Sequence, residues 1–273
     1  MAASIYHARS NSLPSRSHPF VSDFDQYFCR LKANSEATSS SISLKLHGLQ
    51  DLHDCVDKLL LLPTLAREKN EKCVNELLDG SLRVLDLCSA AKDALVQIKE
   101  FTQELQSILR RRGDMKLTSE IMKYLTSRKV LRKAIKKALE NSKAKKLNND
   151  HESVAILAGI LKAVETVSLG VFESLLSFIS SPKAQSKLSG WSLVSKLTHH
   201  KRVASEEGET ESNEFAKVGA ALFSLIGRKI SVADVQNQLK NLELCIQYFD
   251  EGLESLYRRL IKTRVSLLNT LNN

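Results

Sequence analysis

The sequence predicts an all-α fold: an elongated helical bundle of long antiparallel helices, ending in a coiled-coil-like helix. Three observations carry that prediction. The 273 residues hold only 10 Gly and 4 Pro, where average usage would supply about 19 and 13, so the punctuation for many tight turns is missing. Apolar residues step by three and four through a long central stretch and again near the C-terminus, the period of a helix that buries one face. Hydrophobic residues make up 42%, enough at this length to bury a core without disulfide staples.

Taken in order, residues 1–43 read as a disordered, Ser-rich tail with one short helix, and residues 44–273 as the bundle domain. Phe20, Val21, Phe24, Phe28 and Leu31 mark the short helix, and Ser35 to Ser43 a low-complexity linker. A helix starting near Leu44 and broken at Pro63 carries Leu49, Leu52, Val56, Leu59 and Leu60 on one face. From Glu68 to about Arg112 a longer one places Leu78, Leu82, Leu85, Cys88, Ala91, Leu95, Ile98, Leu105 and Ile108 at helical steps, and Gly113 ends it. Three arginines in its last turn have the right sign for the helix dipole.

Lys116 to Lys146 forms the next helix, with Leu117, Ile121, Tyr124, Leu131, Ile135 and Leu139 on its apolar side. Asn148-Asn149-Asp150 supplies a turn and N-cap for a helix from His151 to Ile179, closed by Ser181-Pro182. A smaller segment from Ser186 to Lys196 carries Trp191, and the acidic run Ser205 to Asn213 falls in a loop expected near 198–213.

The C-terminal periodicity is the clearest. Val232, Val235, Leu239, Leu242, Ile246, Phe249, Leu253, Leu256 and Leu260 alternate three- and four-residue steps, then Thr263 interrupts and Leu267 resumes. That is a coiled-coil-like seam. It fits an intramolecular partner in the Glu68–Arg112 helix, or a second copy of the chain in a homo-oligomer, and a monomer at micromolar concentration rules out the second.

Charge is concentrated. The chain carries a net +9. Between Arg110 and Lys146 fourteen basic residues face three acids, a local +11, so the remainder sums to −2. Electrostatic partners are therefore expected there. In that helix Arg128, Lys129, Arg132, Lys133, Lys136 and Lys137 flank a narrow apolar strip, which reads either as a solvated face or as a basic surface for anionic lipid or a partner groove. Nucleic acid is disfavoured, because Tyr124 is the one nearby aromatic and leaves no stacking platform.

Five cysteines, Cys29, Cys55, Cys73, Cys88 and Cys245, lack any C-x-x-C spacing. Buried free thiols in a reducing, intracellular compartment are expected. The first twenty residues show no apolar h-region, so no secretory signal is expected. Val154 to Ile179 is apolar but interrupted by Lys162, Glu165 and Glu173, each costing about 2.5–3.5 kcal/mol at membrane depth, and reads as a buried helix.

No catalytic constellation is found, and no cofactor or metal is expected. His47 and His53 are not at ligand spacing, His199-His200 lies in a basic stretch, and Asp51, Asp54 and Asp57 fall on the polar side of their helix. No nucleophile elbow, zinc motif or phosphate loop occurs. The expectation is a non-enzymatic protein that acts through protein partners, with a peripheral membrane protein as the alternative.

The tail adds a docking motif. Arg9-Ser10-Asn11-Ser12-Leu13-Pro14 places Arg9 before, and Pro14 after, a phosphorylatable Ser12. A phosphate there adds nearly two negative charges, in a spacing that looks like the phosphopeptides held by the arginine cluster of 14-3-3 proteins.

The longer tail, Tyr6 to Pro19, resembles the opening of the plant-specific BYPASS-like family, as do Glu76-Leu77-Leu78-Asp79-Gly80-Ser81, Phe172 to Ile179 and Trp191 to Leu197. The resemblance implies a role in plant root and shoot development. It defines no catalytic residues to carry over.

Overall fold

Ser231 and Asp234 fix the start of the longest helix. Ser231 Oγ accepts from the Asp234 amide at 3.1 Å, and the Asp234 carboxylate accepts from the Ser231 amide at 3.2 Å, a reciprocal cap that satisfies two orphan donors. In this computed structural model the described residues are 19–32, 37–60, 71–111, 114–144, 156–180 and 213–272. They form α1 (Pro19–Lys32), α2 (Ser39–Leu60), α3 (Glu71–Arg110), α4 (Asp114–Ala144), α5 (Ile156–Ser180), α6 (Glu214–Ile226) and α7 (Val232–Asn272), with no strand among the described residues. The fold class is all-α.

At 41 residues and 1.5 Å per residue, α7 spans about 60 Å and is the spine of the bundle. Its apolar stripe from Val235 to Leu260 is buried, with Phe249, Leu253 and Leu256 fully enclosed. One neighbour is α3, antiparallel to it: Gln106 bonds Glu243, Lys92 pairs with Glu254, and Arg264 donates to Leu78 O. The other is α2, which runs parallel to α7, with Gln50 on Gly252 O, Asp54 on Arg259 and Asp57 on Lys262. The seam thus packs within one chain, and not every long neighbour is antiparallel. Val232 is the exception in the stripe, 38% exposed at the first turn.

On α3 the buried positions are Val84, Leu87, Cys88, Ala91, Ala94, Leu95, Ile98, Leu105 and Leu109. Leu82, expected on the apolar face, is exposed. The helix contacts α7, α5 and α4 at once, so its buried sector is wider than a single stripe and turned away from Leu82. α5 completes the core through Phe172, Leu175, Leu176 and Ile179. Glu165 and Glu173, which interrupt its hydropathy, pair with Arg83 and Lys143 of α3 and α4.

The Ser-rich stretch assigned to a linker is partly helix. α2 begins at Ser39 because Thr38 Oγ1 accepts from the Ser41 amide at 3.1 Å while Ser41 Oγ accepts from the Thr38 amide at 3.0 Å. α1 buries Phe24 and Leu31 against α2, so the boundary at residues 43/44 falls inside a packed unit. Serine's readiness to cap, rather than its polarity, decides the outcome. Asn213, placed in the loop, is the N-cap of α6 and accepts from the Ala216 amide at 2.7 Å.

Gly80 shows how closely α3 and α5 approach. A Cβ there would lie 2.3 Å from Glu165 Oε2 and 2.7 Å from its Cδ. One residue on, Ser81 Oγ accepts from Arg264, so the Glu76–Ser81 motif is a packing junction of three helices. Gly80→Val is expected to cost about 2 kcal/mol, the range for overpacking, read as a lower urea midpoint. An unchanged midpoint would show that the Glu165 carboxylate swings aside without cost.

Candidate functional site

The helix that carries the cationic excess, α4, packs against α3, α5 and α6 on one side only. Ile121, Tyr124, Leu131 and Ile135 form its buried side. The opposite side is open: Lys129, Lys133, Lys136 and Lys137 are exposed, together with Met122 at 50% and Val130 at 64%. Lys136 lies 3.7 Å from Glu140. Lys129, Lys133 and Lys137 make no ion pair among the described residues and are exposed to solvent.

Two arginines assigned to that surface are elsewhere. Arg128 is buried, 4% exposed, and Arg132 is half-buried. Arg128 lies one helical turn after Tyr124, on the core side, where Nη2 donates to Ile179 O at 2.6 Å. Ile179 is in the last turn of α5, whose free carbonyls favour a cation. Its guanidinium stacks 5.5 Å from the Phe215 ring of α6. Burial lowers its pKa from the usual value, with Tyr124 opposing and Arg132 adding to the effect, and at ordinary pH it still carries its charge.

The histidines behave differently. His47 is exposed, with Nδ1 2.9 Å from Ser43 O one helical turn earlier. His53 is buried, and its Nε2 lies 3.3 Å from Ser168 Oγ of α5. Burial pushes its pKa down to about 4, against the raising influence of Asp57 and Asp54. Asp57, expected on the solvated side, is 5% exposed. It lies on the α2–α7 contact, where its carboxylate meets Lys262 at 3.2 Å. His53 and Thr263 line a cavity of about 50 Å³ with Val56, Leu161, Val164 and Leu260. Thr263, where the seam skips a beat, is therefore a buried polar group beside that cavity.

Larger hollows are surface furrows. One of about 750 Å³ runs along α7 and is lined by Asp54, Asp250, Glu254, Arg258, Arg259 and Lys262, side chains that pair with one another or with α2 and α3. Among the described residues no group of His, Cys, Asp and Glu has metal-binding geometry. Cys55 is buried, Cys88 and Cys245 are buried free thiols, and Cys29 is an exposed one. Burial pushes the Cys88 thiol up to about 12 and raises that of Cys245, leaving both protonated and unreactive.

Ala158–Ser180 is long and apolar enough to cross a membrane, and half of that window is buried in the bundle. Arg9, Ser12, Pro14 and the Trp191 segment lie outside the described residues.

A family model described as Protein BPS1 matches residues 45–270. No curated protein and no solved structure matches the chain.

Proposed function

The chain belongs to the BPS1 (BYPASS) family, and on that premise we propose that it is a non-enzymatic, intracellular interaction protein of plant root and shoot development. Its working surface is the open side of α4. The observation that carries this reading is the row Lys129, Lys133 and Lys137, exposed and without an ion pair among the described residues, on a helix whose other side is locked into the core. Such a row steers and orients an acidic protein partner. The tail supplies a second docking point, switched on when Ser12 is phosphorylated and read by a 14-3-3-type protein.

A specific feature favours a second reading, attachment to anionic lipid. Val130 and Met122 stand exposed among the lysines, as apolar side chains do in helices that lie in the headgroup layer. Near such a surface each lysine contributes about 1 kcal/mol.

The joint variant Lys129→Glu, Lys133→Glu, Lys137→Glu separates these. Proximity labelling in root tissue is expected to lose a set of acidic proteins with this variant while flotation with phosphatidylserine vesicles is unchanged. Flotation that drops at least tenfold selects the membrane reading, and labelling and flotation both equal to wild type would remove the surface from consideration. A Ser12→Ala chain that retains the same partners overturns the tail's role.

A further inference from the structure

The core side of α4 carries a feature that the exposed lysines do not explain. Tyr124, Arg128 and Arg132 follow one another at four-residue steps, which stacks them along one flank of the helix, a turn apart. The Tyr124 hydroxyl, Arg128 Nη1 and Arg132 Nε are all buried, and none has a hydrogen-bond partner among the described residues. Among the described residues neither arginine takes part in an ion pair, although other cations along the bundle find carboxylates. Glu214, the acid on adjoining α6, accepts from Ser39 of α2 through Oε1, while its Oε2 is buried and makes no hydrogen bond to either arginine.

A guanidinium withdrawn from water without a counter-charge costs several kcal/mol. Internal water could satisfy the donors but would leave the charge standing. Arg128 is such a group, and half-buried Arg132, whose Nε is buried, sits a turn away; both are felt by the Tyr124 hydroxyl, whose own acidity is weakened by burial. The fork of Arg128 is held by Ile179 O on one nitrogen and lies over the Phe215 ring at 5.5 Å, which leaves Nη1 as its unengaged nitrogen. Arg132 is half-buried, so the outer end of the row reaches toward solvent, where exposed Lys129 and Lys136 add positive potential. Tyr124 alone of the three also lines a furrow of about 530 Å³ between α3 and α4, in which Glu104 and Glu120 stand and which neither arginine reaches, so an anion would have to enter from the Arg132 end.

We propose that Tyr124, Arg128 and Arg132 form a binding slot for a phosphate-class oxyanion where α4 crosses the end of α5 and the start of α6. Three donors carried by separate side chains suit a tetrahedral group with several acceptor oxygens, and guanidinium is the side chain best matched to phosphate. The slot goes beyond the lysine surface and stands on different residues, so either can fail alone.

The test uses the full chain with inorganic phosphate, titrated at constant ionic strength with chloride as balance and followed by calorimetry and thermal melting. Saturable binding with a rise in melting temperature is expected. Arg132→Gln and Tyr124→Phe, chosen because Arg128 supports the α5 end, are each expected to weaken binding at least tenfold while leaving the phosphate-free melting temperature near wild type. The triple lysine reversal is expected to keep saturable binding. Vesicles containing phosphatidic acid form the second arm: competition with phosphate assigns a lipid headgroup as the source, no competition a free phosphate, and both support the slot. Absence of saturation, or wild-type affinity in Arg132→Gln and Tyr124→Phe, overturns it.

Discussion

Phe249→Ala is expected to remove about 3–5 kcal/mol of stability, the range for truncating a buried phenylalanine. The ring is fully enclosed in the middle of α7. It meets Phe178 of α5 edge-to-face at 5.9 Å, and Phe178 meets Phe215 of α6 at 5.8 Å. Such pairs add about 0.5–1.5 kcal/mol beyond the area they bury. Truncation therefore removes the α7 member of a three-ring chain centred on Phe178 and leaves a void between rods that cannot easily close in, since each is held along its length. Against a net stability of about 5–15 kcal/mol for a domain, that is a large fraction. Urea unfolding followed by circular dichroism measures it, with the midpoint falling and the slope unchanged. The adjacent Tyr248 is 66% exposed, so Tyr248→Ala is expected to stay within about 0.5 kcal/mol of wild type. Equal losses at the two positions would show that the helix phase is wrong.

The phase of α7 was legible in the sequence because a strict three-four repeat of large apolar residues admits one buried face, whatever covers it. Leu49, Leu52, Val56, Leu59 and Leu60 of α2 were legible for the same reason, and all are buried. The pattern could not say which rods are neighbours or in which direction they run. The parallel pairing of α2 with α7 rests on Gln50, Asp54 and Asp57 meeting residues more than two hundred positions away, and no local periodicity encodes that. α3 was legible as a helix but its face was misplaced at Leu82, since a helix touched by three others buries a sector too broad for one stripe to define.

Charged residues were the least legible. By composition Arg128, Arg132 and Lys133 look alike, yet the first is buried, the second half-buried and the third exposed. Position on the helix wheel relative to Tyr124 and Leu131 separates them, a signal present in the sequence that assigning all six cations to one surface passes over. Asp57 was misplaced in the same way. Its α7 partner, Lys262, is far off in the chain. The start of α2 was missed because a run of serines looks like a linker until Thr38 and Ser41 are recognised as a reciprocal cap.

His53 is expected to make the fold acid-sensitive in a defined window. In the unfolded chain its imidazole takes a proton near pH 6.5, whereas burial holds the folded pKa at about 4 despite Asp57 and Asp54 nearby. Ser168 of α5 bonds the ring, and Thr263 of α7 and Glu165 of α5 line the same cavity, Glu165 being paired with Arg83. No carboxylate on the facing helices therefore overcomes the loss of hydration. Between those two pKa values the unfolded state binds a proton that the folded state refuses, so stability is full above pH 6.5, falls as pH drops, and levels off below about 4. The shift corresponds to about 3 kcal/mol. His53→Gln, which keeps a polar group toward Ser168 but does not titrate, is expected to lose less stability than wild type over the same range. Urea midpoints taken at pH 7 and pH 4.5 on both chains provide the comparison. Carboxylates that titrate in this range are common to the two chains, so they cancel in the difference. Parallel pH profiles would mean that the ring is hydrated in the folded protein and that α2 and α5 do not close over it.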